Sequence, residues 1–123
     1  FYLEENNYSL KEMTLFNCIL VKKILSLYCK KRINIKLPND LMVNKKKISG
    51  ILQEIIKKGN QKYIIVGIGI NLVKNPYIIN YPTTSLLEVT NKIIKKDEVI
   101  NKLKKIYEKF IPKINSYEIS KLL

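Results

Sequence analysis

The chain has no histidine, no tryptophan and only two cysteines. Without histidine or a cysteine cluster it lacks the nitrogen and sulfur ligands of a zinc centre. Cys18 and Cys29 fall on one predicted helix, about three turns or ~16 Å apart along its axis, too far to bridge. They read as small core hydrophobes, and a reducing cytoplasm fits them. No apolar run approaches the length of a membrane span and no secretory signal is visible, so no membrane partner is expected. Arginine is nearly missing too, with Arg32 the sole example. The formal charge of +13, from 23 Lys+Arg against 10 Asp+Glu, is therefore almost all lysine. Such a balance favours polyanions. Here, however, lysine accompanies heavy isoleucine and asparagine usage, and most of it reads as solvated surface. No aromatic–basic interleaving or known motif supports a nucleic-acid partner. The chain also lacks an initiator methionine, an internal repeat and a linker. It reads as one partial domain over 1–123.

What is present suits a single core: 46% of the residues are hydrophobic. Phe1–Glu5 reads as the tail of a strand. Ser9-Leu-Lys-Glu12 is a capping box, opening a helix predicted to run to about Lys31. Leu10, Met13, Phe16, Leu20, Ile24 and Leu27 form its core stripe. Ile33, Ile35 and Leu37 alternate with Asn34 and Lys36 as a half-buried strand, and period two puts Lys36 on the opposite face. Pro38-Asn39-Asp40 is a turn. Residues 41–57 read as a hairpin with its bend at Asn44–Lys47, and Gly59-Asn60 as the next turn. Tyr63–Asn71 reads as a central strand. Thr83-Thr84-Ser85 caps a short helix from Leu86. A longer helix is predicted over Asp97–Ile114, with Pro112 bending or ending it.

Candidate chemistry collects in two places. In the central strand Gly67, Gly69 and Asn71 share a face, leaving bare backbone beside an amide. Glycine inside a strand marks close approach by a ligand or by other backbone. A ligand slot and a tightly packed helix are equal readings of that patch. Gly-Ile-Gly-Ile-Asn is not the dinucleotide fingerprint, because it lacks a third glycine and opens no clear helix. In the hairpin Gly50 and Leu52 share a face, with Asp40 before them and Lys47 at the bend. Lysine suits phosphate as a mobile point charge, and aspartate can hold Mg²⁺.

Lys36-Leu-Pro-Asn-Asp40, followed by Leu41 through Lys47-Ile-Ser-Gly50-Ile-Leu-Gln-Glu54, resembles the K-W-P-N-D…K-[IL]-[AS]-G-I-L-x-E block of biotin protein ligases. Val66-Gly-Ile-Gly-Ile-Asn71 resembles that family's [VI]-G-I-G-[IL]-N strand, and Thr84-Ser-Leu86 its T-S-L element. The order and spacing agree over about residues 1–110. The resemblance implies an α/β (α+β) fold, a mixed sheet flanked by helices and related to class II aminoacyl-tRNA synthetase domains. It implies two reactions: ATP and biotin give biotinyl-5′-adenylate, which then acylates a lysine of a biotin carrier domain. Mg²⁺ through Asp40 and a homodimer are further expectations. By the same resemblance Lys47 contacts the biotin carboxylate and the phosphate. Asp40 and Asn39 orient the reacting groups, with Asp40 also placed near the acceptor lysine. Gly50, Ile51 and Leu52 match the biotin-side strand. Gly67, Gly69 and Asn71 match the strand along the adenylate. Thr84 and Ser85 match an adenosine contact, and Lys36 an accessory lysine. Two departures stand out. Leu37 replaces a tryptophan, and the family's Gly/Arg-rich loop is expected just upstream of Phe1. Neither a DNA-binding helix-turn-helix nor a C-terminal barrel is expected within the chain. The alternatives are a degenerate ligase-like scaffold and a lipoate–protein ligase.

Overall fold

The computed structural model describes residues 2–3 and 9–112. Its elements are β1 (Tyr2–Leu3), α1 (Leu10–Leu25), β2 (Ile33–Lys36), β3 (Asp40–Val43), β4 (Lys46–Lys58), β5 (Gln61–Ile70), α2 (Leu86–Thr90) and α3 (Lys96–Phe110). The five strands form one sheet in the order β1-β5-β4-β3-β2. All four ladders are antiparallel, and one isolated parallel bridge joins Lys47 to Thr83. The strand expected at the centre, β5, lies beside β4, which takes the middle place instead. The expected strand tail at Phe1–Glu5 survives as β1, its other residues lying outside the described ones.

Short-range chemistry shapes the elements. Ser9 caps α1 with the reciprocal Ser9–Glu12 bonds of a capping box. The helix ends at Leu25, earlier than expected. Its last turn tightens, with Leu27 N–H donating to the Ile24 carbonyl and Tyr28 N–H to that of Leu25. That turn returns Cys29 to the core and leaves Leu27 67% exposed. Leu10 is exposed as well, so α1 docks through Met13, Phe16, Leu20 and Ile24. Each such side chain contributes roughly 1.5–3 kcal/mol on leaving water. Cys18 and Cys29 are both free and buried. The β3–β4 bend is only Asn44-Lys45, both at positive φ (50° and 63°), as a type I′ turn demands. The helix expected over Asp97–Ile114 runs from Lys96 to Phe110 and gives way before Pro112; Ile114 lies outside the described residues.

The core occupies one face of the sheet. Val21, Ile24 and Leu25 of α1 cluster with Ile33, Leu41, Val43, Ile48 and Ile51 of the strands and with Leu86 and Val99. Within this apolar layer lies a polar bridge. Asn17 is fully buried, donates Nδ2 to Gln53 Oε1 at 2.8 Å and accepts from Tyr107 Oη at 2.8 Å. It thereby joins α1, β4 and α3. No helix of the described residues is long and apolar enough to cross a membrane.

Candidate active site

The other face of the sheet carries most of the candidate site residues. Gly50 stands opposite Gly69 and Leu52 opposite Gly67. Asp40 pairs with Gly50 on its other side, and Lys36 pairs with Asp40. Residues directly opposite in a ladder share a face, so these side chains converge on the surface away from α1. The two readings of the glycine patch now separate. A Cβ on Gly69 would meet only the Gly50 carbonyl oxygen at 3.7 Å, and one on Gly67 the Leu52 carbonyl oxygen at 3.6 Å. No helix covers them among the described residues. The glycines instead floor a groove of about 500 Å³, walled by Leu52, Lys47, Asn71 and the loop residues Pro76, Ile78 and Thr83.

Lys47 reaches this groove through an irregularity. By simple alternation it would face away from Gly50. Between Leu41 and Met42 the register shifts: Leu41 pairs with Ser49, whereas Met42 pairs with Lys47. Ile48 is thus the extra residue of a β-bulge, and a one-residue slip reverses the face of what precedes it. Lys47 therefore sits inside β4, not at the bend. Its Nζ lies 3.2 Å from Asp40 Oδ1, the two side chains being 29% and 17% exposed. Its backbone is clamped as well: Lys47 N–H donates to the Pro82 carbonyl, and Thr84 N–H donates to the Lys47 carbonyl, each at 2.8 Å.

The second carboxylate oxygen of Asp40 accepts from Tyr81 Oη at 2.5 Å. Burial, then the hydrogen bond and charge of Asp40, push the Tyr81 phenol up to about 12. Lys36 Nζ lies 4.5 Å from the centre of the Tyr81 ring, within range of a cation–π contact. Lys36 is thus joined to the charged cluster without lining the groove. Sequence reasoning passed over Tyr81 because nothing local marks it; its position just before the Thr-Thr-Ser cap is the one available signal.

The remaining expected residues divide. Asn39 Nδ2 donates to the Ile51 carbonyl at 2.7 Å, and Ile51 N–H to the Asn39 carbonyl, so Asn39 pins the turn to β4 at the groove's edge. Asn71 Nδ2 donates to the Thr84 carbonyl at 2.9 Å and braces the end of β5. Ile51 offers the groove only its backbone, because its side chain is buried in the core. Thr84 and Ser85 are buried too. Ser85 Oγ caps α2 through Glu88 N–H, and Thr84 Oγ1 donates to the Glu88 carboxylate. Thr83, not singled out from the sequence, lines the groove in their place.

The model of the biotin/lipoate A/B protein ligase family matches residues 4–71, more than half of the chain. The chain belongs to this family. Among solved structures, the apo biotin protein ligase of Aquifex aeolicus is 29% identical, with a TM-score of 0.79 over 98% of this chain and 54% of that one. The same enzyme in complex with biotin and ATP is 30% identical, with a TM-score of 0.76 over 97% of this chain and 51% of that one. LipL1 of P. falciparum with lipoate, 21% identical at a TM-score of 0.59 over 88% of this chain and 33% of that one, shares the fold. The chain spans about half the length of the Aquifex ligases it matches. Leu37, where the biotin protein ligase pattern has tryptophan, is 61% exposed. It adds no wall to the groove. In this family member the groove therefore offers a bare floor, apolar flanks at Leu52, Pro76 and Ile78, and the Lys47 ammonium held by Asp40.

Proposed function

We propose that the chain carries one wall of a biotin–protein ligase site, the wall that handles the acid and the phosphate. The observation that carries this reading is the Lys47 ammonium, held by Asp40 over the half-buried backbone of Gly50. A volume of about 500 Å³ suits a small acid and part of a nucleotide. In the first reaction a biotin carboxylate oxygen attacks the α-phosphorus of ATP, a P–O bond forms and pyrophosphate leaves. The charge that builds on the phosphate and carboxylate oxygens needs a cation poised in advance. Lys47 supplies it. In the second reaction the amine of a lysine on a biotin carrier domain attacks the activated carbonyl, and AMP leaves. Asp40, beside Lys47, is placed to orient that amine.

Asp40 does not fit the role of a Mg²⁺ holder. Its charge is already balanced by the Lys47 ammonium 3.2 Å from Oδ1, and a divalent cation there would face that ammonium. No group of three or more His, Cys, Asp or Glu side chains that could hold a metal occurs among the described residues. A Mg²⁺ ion enters this reading with the nucleotide phosphates, as is common for that ion, and no step runs through it here.

Biotin-dependent exchange of pyrophosphate into ATP tests the reading, run on the chain with and without any polypeptide encoded upstream of Phe1. Exchange that requires biotin supports it, and absence of exchange in the longer form overturns it. Lipoate added in competition leaves the exchange unchanged if the acid is biotin.

A further inference from the structure

We propose that Tyr81 is a positioning residue that fixes the reach of Lys47 over the groove. A lysine has four rotatable side-chain bonds and holds one place only if a partner holds it there. That partner is Asp40 Oδ1, 3.2 Å from Nζ. A carboxylate turns freely about its last bond unless its second oxygen is fixed, and Asp40 Oδ2 is fixed by Tyr81 Oη at 2.5 Å. The tyrosine is itself anchored. Its N–H donates to the Ile78 carbonyl at 3.2 Å, and its ring carries the Lys36 ammonium at 4.5 Å. Its neighbour Pro82 accepts from Lys47 N–H at 2.8 Å. The loop that aims the Lys47 side chain is thus bonded to the Lys47 backbone. Tyr81 does not line the glycine groove but borders an adjoining hollow that shares Pro76, Ile78 and Thr83 with it. It acts through Asp40 and not on a bound substrate.

The proposal rests on the ligase reading for what Lys47 does, but not for where Lys47 sits, and the two can be tested apart. Trace acetylation of the folded chain with acetic anhydride, read lysine by lysine in a mass spectrometer, reports how freely each amine leaves its partner. Tyr81→Phe keeps the ring and removes the hydroxyl. It should raise the rate at Lys47 roughly fivefold, a fraction of what a charged hydrogen bond can contribute, and leave Lys95 unchanged. Asp40→Asn should raise the Lys47 rate at least as much, and the double variant should add nothing further, as expected of groups acting in series. An unchanged Lys47 rate in Tyr81→Phe overturns the proposal, as does a rise shared by Lys47 and Lys95. In the exchange assay Tyr81→Phe should lower kcat and leave the KM for biotin in place. If the labelling pattern appears but the form extended upstream of Phe1 shows no exchange, the ligase reading falls and the role of Tyr81 stands.

Discussion

Lys47 occupies the space that a side chain on Gly50 would need: a Cβ there would come within 3.0 Å of the lysine's Cε and Nζ. The absence of a side chain at position 50 and the placement of the ammonium are one arrangement. Gly50→Ala should therefore leave the melting temperature nearly unchanged, because the crowded atoms are the far end of a flexible chain. It should still displace Nζ from Asp40 Oδ1 and lower exchange activity roughly tenfold. Thermal unfolding and exchange kinetics on the same sample check both halves.

Lys47→Ala should remove most of the exchange, by roughly a hundredfold in kcat, whereas Lys95→Ala should leave it intact. Equal effects would mean that bulk positive charge, not one placed cation, serves the site. Neither variant should cost more than about 1 kcal/mol of stability, since the Lys47–Asp40 pair is partly solvated.

The buried bridge at Asn17 should matter to the fold and not to the site. Asn17→Ala leaves Tyr107 Oη and Gln53 Oε1 facing each other across a gap, at a cost of about 2–3 kcal/mol. The urea midpoint should fall with an unchanged slope. Asn17→Leu combined with Tyr107→Phe should recover part of the loss, because it removes the stranded donor along with its acceptor.

Alkaline pH should weaken the fold through several groups, Cys18 and Tyr81 among them, with burial also raising the Tyr28 and Tyr107 phenols. Burial, helped by the Asp40 charge, pushes the Cys18 thiol up from 9.0 to about 11, and the Tyr81 phenol rises from 10.0 to about 12. In both the folded state holds a proton that the unfolded chain gives up sooner, so stability falls wherever the folded form binds more protons. It should be full below about pH 9 and be lost as pH rises through about 11 and then about 12. Denaturation midpoints across that window should fall less steeply at first in Cys18→Ala and less steeply later in Tyr81→Phe.

What could be read in the sequence was what neighbouring residues decide. The Ser9–Glu12 box, the Gly59-Asn60 turn and the Ser85 cap each depend on a few consecutive residues, and each stands where expected. The end of α1 was harder. No glycine or proline stops it, and Leu27 continues the apolar spacing although the chain has already turned. Alternation along β4 put Gly50 and Leu52 on one face, yet the resemblance grouped Ile51 with them although its side chain lies in the core. The face of Lys47 was not legible, because it depends on which residue of β4 goes unpaired against β3. Tyr81 was beyond reach for a similar reason, since only the folded topology brings it to Asp40.

The bulge at Ile48 has a genetic consequence. The side chains at positions 46 to 49 can change identity and leave the pairing frame as it is. Loss of the Ile48 codon would instead remove the bulge: Lys47 would stand two residues from Gly50, still on the groove face, and the core would lose the fully buried Ile48 side chain. A one-codon deletion there should therefore cost the fold a core side chain while sparing the aim of Lys47, the reverse of what Lys47→Ala should do.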